Sequence, residues 1–191
     1  INELLSIFSC QWRNGMLPHI RFVPGAGGYR PDADDWGVTS RISGPTALRT
    51  SGITQPPIVG WCAHRVFMGL AEEEQVRYAA PFLTICDGLD RYHSWLLRER
   101  DPHSESLVSC VHPWETGTDN SPAFDPLISE AHVYFERSGL DVESFGRADT
   151  RHVDPAQRPT NKDYYAYFGL LALAKRQEYR QDRVIEQTPF L

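Results

Sequence analysis

The feature that most constrains the fold of this chain is a long helical stripe near its middle. Between Glu72 and Arg100, apolar residues recur at steps of three and four, the spacing of one face of an α-helix. The stripe consists of Val76, Ala79, Leu83, Cys86, Leu89, Tyr92 and Leu96. Pro81 lacks the N–H that an interior helical turn uses, so it predicts either a kink or the true start of the helix.

Further helices are predicted on both sides of this stripe, whereas alternating Val, Ile and Thr strands are scarce. We expect them at about residues 2–13, 58–70, 126–137, from 160 or 161 onward, and 182–187. The segment from residue 14 to about 54 is rich in Pro and Gly but too aromatic for a flexible linker, so it predicts an ordered loop. The predicted fold class is therefore all-α, with long functional loops between helices.

Charge and hydropathy narrow the range of partners. Twenty-five acidic residues against nineteen basic ones give a net charge of −6, which disfavours nucleic acid and anionic membrane surfaces. No apolar run approaches the ~18–20 residues that a membrane span needs. The N-terminus shows no secretory signal, so a cytoplasmic location is expected. The 191 residues suit one well-buried domain.

The densest polar and aromatic cluster runs from His112 to Asp125, where Trp114, Glu115 and Asp119 lie in a loop shaped by Pro and Gly. Sugar chemistry needs this combination, because an aromatic ring stacks on a pyranose while a carboxylic acid protonates the departing glycosidic oxygen. The run beginning at Asp119, Asp-Asn-Ser-Pro, is also a favourable turn whose first residues can cap the next helix. On the residues alone, both interpretations stay open.

Other chemistries have weaker support. His112, Glu115 and Asp119 offer metal ligands, yet their spacing fits no zinc pattern and the prolines between them prevent a helical i, i+4 pair. The run Gly25–Gly28 follows no predicted strand and precedes no Lys-Ser/Thr pair, so it is a poor phosphate-binding loop. No Gly-x-Ser-x-Gly elbow is present.

Four segments, taken together and in order, resemble glycoside hydrolase family 63, in its bacterial branch of mannosylglycerate and glucosylglycerate hydrolases. They are Asn14-Gly-Met-Leu-Pro-His-Ile20 with Phe22; Ser51-Gly-Ile-Thr-Gln-Pro-Pro57; Val111-His-Pro-Trp-Glu-Thr-Gly-Thr-Asp-Asn-Ser-Pro122 with Asp125; and His152-Val-Asp with Arg158-Pro-Thr-Asn161 and Tyr164. The third segment is the most specific, and the set spans nearly the whole chain.

The resemblance implies an (α/α)6 barrel with an active-site funnel built from its loops. It implies inverting hydrolysis of a small glucoside or mannoside, with two carboxylates and neither a metal nor an organic cofactor. The family's general base, a Glu, lies later than this sequence reaches. Only about half of the twelve helices are visible, the chain begins without Met, and it ends abruptly at Leu191. Residues 1–191 are therefore expected to be one truncated segment of a catalytic domain, completed by further polypeptide or by a second copy.

The resemblance also assigns roles to residues. Asp119 is the expected general acid, and the expected substrate contacts are Trp114 and Gly117 for the sugar, Gln55 for its hydroxyls, Tyr29 near the glycerate end, and Arg151 for the substrate carboxylate, with Arg147 and Arg158 as rivals. Glu115 is expected to be a supporting hydrogen-bonder, and His19 and His112 to be structural. The alternative is a non-catalytic sugar-binding or assembly fragment that keeps these loops.

Overall fold

The computed structural model describes residues 1–25, 30–39, 42–119, 121–136 and 153–189. Its α-helices within these ranges are α1 Asn2–Ser9, α2 Ala33–Trp36, α3 Val59–Met68, α4 Glu72–Glu99, α5 Asp125–Glu136, α6 Asn161–Arg176 and α7 Gln181–Ile185. Two short antiparallel strands, β1 Arg21–Phe22 and β2 Arg49–Thr50, form a small ladder. The all-α prediction is confirmed apart from this ladder. None of the described helices is long and apolar enough to cross a membrane.

Helix α4 is the longest element and follows the predicted stripe. Three glutamates occupy its first turn, where negative charge favours the helix dipole, and Glu74 accepts a hydrogen bond from the N–H of Ala71. The helix is continuous through Pro81, so Pro81 is not its true start. Its buried face packs against α1 and α3 through Phe82, Ile85, Gly88, Tyr92, Trp95 and Leu96.

Helix α1 is shorter than predicted, because the chain leaves it at Ser9 rather than near Arg13. Trp12 is buried outside the helix, and its indole N–H donates to the Thr50 hydroxyl at 3.0 Å. Gly15 then turns the chain with φ +106°, and a Cβ there would lie 2.5 Å from the carbonyl oxygen of Arg91. The residues between Ser9 and Gly15 therefore lie outside the helix and pack against α4.

The long segment between α1 and α3 is ordered where the structure describes it, as predicted. It contains β1, β2 and α2, and Asp32 begins α2 by accepting hydrogen bonds from the N–H groups of Asp34 and Asp35. Trp36 at the end of α2 is fully buried, and the Tyr179 hydroxyl donates to its carbonyl oxygen. The segment therefore packs against the body of the protein.

Two hydrophobic clusters form the core. Within the described residues, one joins α1, α3 and α4 with the long segment, the second half of α6 and α7, and the other lies between α5 and α6. The second depends on a glycine: a Cβ on Gly169 of α6 would lie 2.6 Å from the carbonyl oxygen of Ala131 in α5. Trp114 packs against both clusters, so the loop that carries it lies where they meet.

Candidate active site

The segment from His112 to Asp119, called the acid loop below, begins with a short 3-10 turn at Pro113–Glu115. His112 caps this turn, because its Nδ1 accepts the N–H of Trp114 at 3.2 Å. Gly117 adopts φ +73°, a conformation that favours glycine, and a Cβ there would lie 3.6 Å from Pro56. Local sequence therefore shapes the loop: a proline starts the turn and a glycine reverses the chain before Asp119.

His112 is a buried structural residue. Its Nε2 lies 3.3 Å from the carbonyl oxygen of Tyr167, and with Nδ1 accepting from Trp114 this makes Nε2 the protonated nitrogen. Burial lowers the pKa of His112 to about 4, although the charge of Glu115 opposes this shift. The imidazole is therefore neutral near pH 7, and both ring nitrogens are engaged by the protein.

A cleft of about 510 Å³ opens beside the acid loop. Its walls carry both Trp114 and Asp119, so the structure brings together two of the residues predicted for sugar chemistry. The remaining lining comes from β1, the start of α2 and the beginning of α6: His19, Ile20, Arg21, Phe22, Val23, Arg30, Pro31, Asp32, Arg158, Pro159 and Tyr164. An apolar wall with a few converging polar groups is typical of a small-molecule site.

Asp119 lies between two cavities. Besides the cleft, it borders a smaller cavity of about 180 Å³ that Asp125, Asp163 and Arg158 also line. Its backbone is held by the Tyr167 hydroxyl, which donates to the Asp119 carbonyl oxygen at 3.1 Å. That contact ties the end of the acid loop to α6.

Trp114 belongs to an aromatic cluster at the base of the cleft. Its ring centroid lies 4.6 Å from that of His112, 5.1 Å from that of Tyr167 and 6.4 Å from that of Tyr164. Such contacts hold a ring in one orientation, and Trp114 also lines the cleft. Tyr164, which belongs to the fourth resembling segment, is buried and also lines the cleft.

Gln55 is attached to the cleft through His19. The Gln55 side-chain amide donates to the backbone carbonyl oxygen of His19 at 2.5 Å, and the Gln55 backbone carbonyl oxygen accepts a hydrogen bond from the Tyr92 hydroxyl. Burial lowers the pKa of His19, with the charges of Glu115 and Asp119 acting in the opposite direction. The role of Gln55 in binding sugar hydroxyls stays a prediction.

Among the described residues, the arginines that line the cleft are Arg21, Arg30 and Arg158, and Arg158 is one of the two rivals of Arg151 in the prediction. Arg30 donates to both carboxylate oxygens of Asp35, whose hydrogen bonds raise the arginine's pKa. Arg158 borders Asp119 in the cleft and in the smaller cavity. Tyr29 and Arg151, like Arg147, lie outside the described residues.

Comparison with known proteins assigns the chain to a family. Residues 2–190 match the family described as the mannosylglycerate hydrolase MGH1-like glycoside hydrolase domain. The chain belongs to this family. It is 37% identical to a mannosylglycerate hydrolase of Rubrobacter radiotolerans across the whole chain, 39% identical to one of Thermus thermophilus across 98% of it, and 35% identical to a glucosylglycerate hydrolase of Mycolicibacterium hassiacum across 95% of it.

Solved structures agree with this assignment. The chain matches the crystal structure of the glycoside hydrolase family 63 mannosylglycerate hydrolase from Thermus thermophilus in complex with Tris and D-glycerate, with a TM-score of 0.81 and 38% identity. That match covers 98% of this chain and 42% of the crystallised one. The chain likewise spans 42% of the Rubrobacter enzyme and 43% of the Thermus enzyme, well under half of each.

Proposed function

We propose that the complete protein containing this chain is an inverting α-glycoside hydrolase that acts on a small glycerate glycoside. The observation that carries the proposal is the shared cleft, in which Asp119 and Trp114 face the same space beside Arg158. The described helices would form part of an (α/α)6 barrel, completed by polypeptide beyond this chain or by a second copy. Neither a metal nor an organic cofactor is invoked, and a cytoplasmic location stays a prediction.

In the proposed mechanism, the sugar stacks on Trp114 and the glycosidic oxygen lies at Asp119. The Asp119 carboxyl group gives its proton to that oxygen as the C–O bond breaks, which lets the alcohol leave neutral. A carboxylate outside this chain activates a water on the opposite face of the sugar, and the attack inverts the anomeric carbon. In this scheme, Gln55 and Gly117 contact the sugar, whereas Arg158 replaces Arg151 as the partner of the substrate carboxylate.

The proposed acid is tested by Asp119→Asn in the complete protein. The amide keeps the shape of the side chain but has no acidic proton, so kcat on mannosylglycerate or glucosylglycerate should fall by roughly 10²–10⁴-fold. The matching α-glycosyl fluoride should remain a good substrate, because fluoride departs without a proton. Proton NMR of the initial product should show the β-anomer if hydrolysis inverts the substrate.

A matched control replaces a carboxylate that borders neither cavity. Asp182 lies in the first turn of α7 with its side chain 59% exposed, and Asp182→Asn should leave both activities unchanged. Near-normal turnover of the natural glycoside by Asp119→Asn would remove Asp119 from the acid role. An α-anomeric first product would refute inversion independently of the acid.

A further inference from the structure

A buried ion pair lies directly behind the loop that carries Trp114 and Asp119. Arg100 follows the last residue of α4, Glu115 ends the 3-10 turn of the acid loop, and each side chain is only 1% exposed. The guanidinium meets the carboxylate through two hydrogen bonds, Nη1 to Oε2 at 2.7 Å and Nη2 to Oε1 at 2.6 Å. This fork is a geometry that arginine forms and lysine cannot.

The Glu115 carboxylate is fully engaged by the protein. In addition to Arg100, Oε1 accepts the N–H of Thr54 at 3.0 Å and Oε2 accepts the N–H of Val111 at 2.9 Å. Burial by itself would raise the pKa of Glu115, but the charge and hydrogen bonds of Arg100, together with the two N–H groups, hold it below its ordinary value. Glu115 therefore stays ionised and takes no part in proton transfer.

The Arg100 guanidinium extends the contact to other segments. Its Nε donates to the Gln181 side-chain oxygen at 2.7 Å, which attaches it to the start of α7. Its Nη1 also donates to the carbonyl oxygen of Ser109 at 3.0 Å, and the guanidinium lies 5.2 Å from the ring centroid of Trp95. One side chain thus joins the end of α4, the start of α7 and the beginning of the acid loop.

The same network reaches the other wall of the cleft. The Thr54 hydroxyl donates to the Leu17 carbonyl oxygen at 2.8 Å and lies 3.0 Å from the Tyr92 hydroxyl. Tyr92 in turn donates to the Gln55 carbonyl oxygen at 2.5 Å, and the Gln55 side chain is bonded to His19. The ion pair is therefore a common support for the acid loop and for the Thr54–Gln55 segment.

We infer that Arg100 and Glu115 form a positioning pair that sets Asp119 at its working distance from the bound sugar. The inference rests on the proposed function, in which Asp119 is the general acid. A buried ion pair adds little net stability relative to well-packed apolar residues. We therefore attribute to this pair the fixed position of the acid loop rather than the stability of the fold. A displacement of about 1 Å at a reacting group lowers a rate by roughly 10²-fold.

The test compares two substrates in the complete protein with Arg100→Lys, which keeps the charge and removes the fork. Turnover of the glycerate glycoside needs a correctly placed acid, so its kcat should fall by roughly tenfold to a hundredfold. Hydrolysis of the matching α-glycosyl fluoride needs no proton from Asp119 and should change little. Glu115→Gln removes the negative charge of the pair. It should likewise lower kcat on the glycerate glycoside and change hydrolysis of the fluoride little.

Controls separate positioning from stability. Arg180→Lys alters an exposed ion pair with Asp182, in which both side chains are 59% exposed, and should leave both activities unchanged. If Arg100→Lys does not fold, Gln181→Met replaces it as the test, because it removes the hydrogen bond to Arg100 Nε and leaves the fork with Glu115 intact. It also removes the hydrogen bond that the Gln181 amide donates to the Tyr179 carbonyl oxygen. A smaller loss that is again confined to the glycerate glycoside is expected from that variant.

The outcomes distinguish the inference from the proposed function. Equal losses on both substrates, or no loss on either, would overturn the positioning role and leave the pair as a structural contact. Failure of the unsubstituted complete protein on both substrates would refute the proposed function, and the inference with it.

Discussion

At the scale of single residues, Arg158 is the described arginine that lines both cavities bordered by Asp119. Under the proposed function, a substrate bound with its scissile bond at Asp119 would lie beside this arginine. Arg30 lines the cleft but not the smaller cavity. Glycerate places its carboxylate close to the glycosidic oxygen, and the arginine fork matches a carboxylate bidentately.

We therefore predict that Arg158→Met in the complete protein weakens binding of glycerate glycosides. A hydrogen bond to a charged group is worth about 1.5–3 kcal/mol, so KM should rise roughly 10–150-fold while kcat changes less. The corresponding glycerol glycoside lacks the carboxylate, and its KM should be nearly unchanged. The comparison of the two substrates in steady-state kinetics is the measurement. The reverse result, an effect of Arg151→Met with none from Arg158→Met, would restore the choice made from sequence.

Sequence reasoning singled out the acid loop because its residues lie within a few positions of one another: a proline and a glycine set the turn, and Asp119 follows them. The role of Asp119 as general acid stays a prediction. Sequence reasoning chose Arg151, with Arg147 and Arg158 as rivals, and this choice stays a prediction because separation along a chain does not report which side chain reaches a cavity, and of the three only Arg158 lies among the described residues. It also missed the partner of Glu115, because Arg100 comes from another element, and only the folded path of the intervening residues brings the two together. The expectation that Glu115 is a supporting hydrogen-bonder agrees with its contacts.

At the scale of elements, the periodicity of the apolar residues predicted the helices well. The differences are the two short strands and the end of α1. The helices α3, α4 and α6 begin within about one residue of the positions that their spacing and caps indicate, as the Thr160 cap of α6 shows. Two-residue strands have no periodicity to detect, so β1 and β2 were not predicted. Helix α1 ends at Ser9, ahead of the position that its spacing indicates, and Trp12 is buried outside it.

Helices α5 and α6 contact the acid loop through the cluster that packs against Trp114, and their own close contact gives a stability prediction. A Cβ on Gly169 would lie 2.6 Å from the Ala131 carbonyl oxygen and 2.9 Å from the Phe135 nitrogen, both backbone atoms of α5. Gly169→Ala must therefore push the helices apart, and overpacking of this kind costs about 1–3 kcal/mol of unfolding free energy. Chemical denaturation is the measurement.

Gly60 provides the matched control, since it also lies in a helix, α3. A Cβ there meets its nearest neighbours at 3.5 Å, an ordinary van der Waals distance. Gly60→Ala should be neutral or stabilising by up to about 1 kcal/mol, because alanine favours helices over glycine. Equal effects of the two substitutions would show that the close approach of α5 and α6 is unimportant.

At the scale of the whole molecule, an apolar face is left open along α3 and α4. Large apolar side chains recur on each helix at spacings of seven or fourteen residues, which are about two or four helical turns and return to nearly the same side. They are Trp61 and Met68 on α3, and Val76, Leu83 and Leu97 on α4, with exposed fractions of 63%, 60%, 76%, 66% and 57%. A cavity of about 410 Å³, lined mainly by apolar residues, lies between the two helices. Contiguous apolar surfaces of this kind mark contact sites.

This apolar face predicts that Leu83→Lys has a different effect in the 191-residue chain and in the complete protein. The 191-residue chain should self-associate, so its sedimentation-average mass should rise with concentration, and Leu83→Lys should reduce that rise because a charge resists burial. In the complete protein, where further helices are proposed to cover the face, the same lysine would be buried and should lower the melting temperature. Val133→Lys, at an exposed position of α5, should do neither. The prediction is wrong if the 191-residue chain stays monomeric at every concentration, or if Leu83→Lys leaves the melting temperature of the complete protein unchanged. An unchanged melting temperature would mean that this side of α3 and α4 faces solvent in the complete protein.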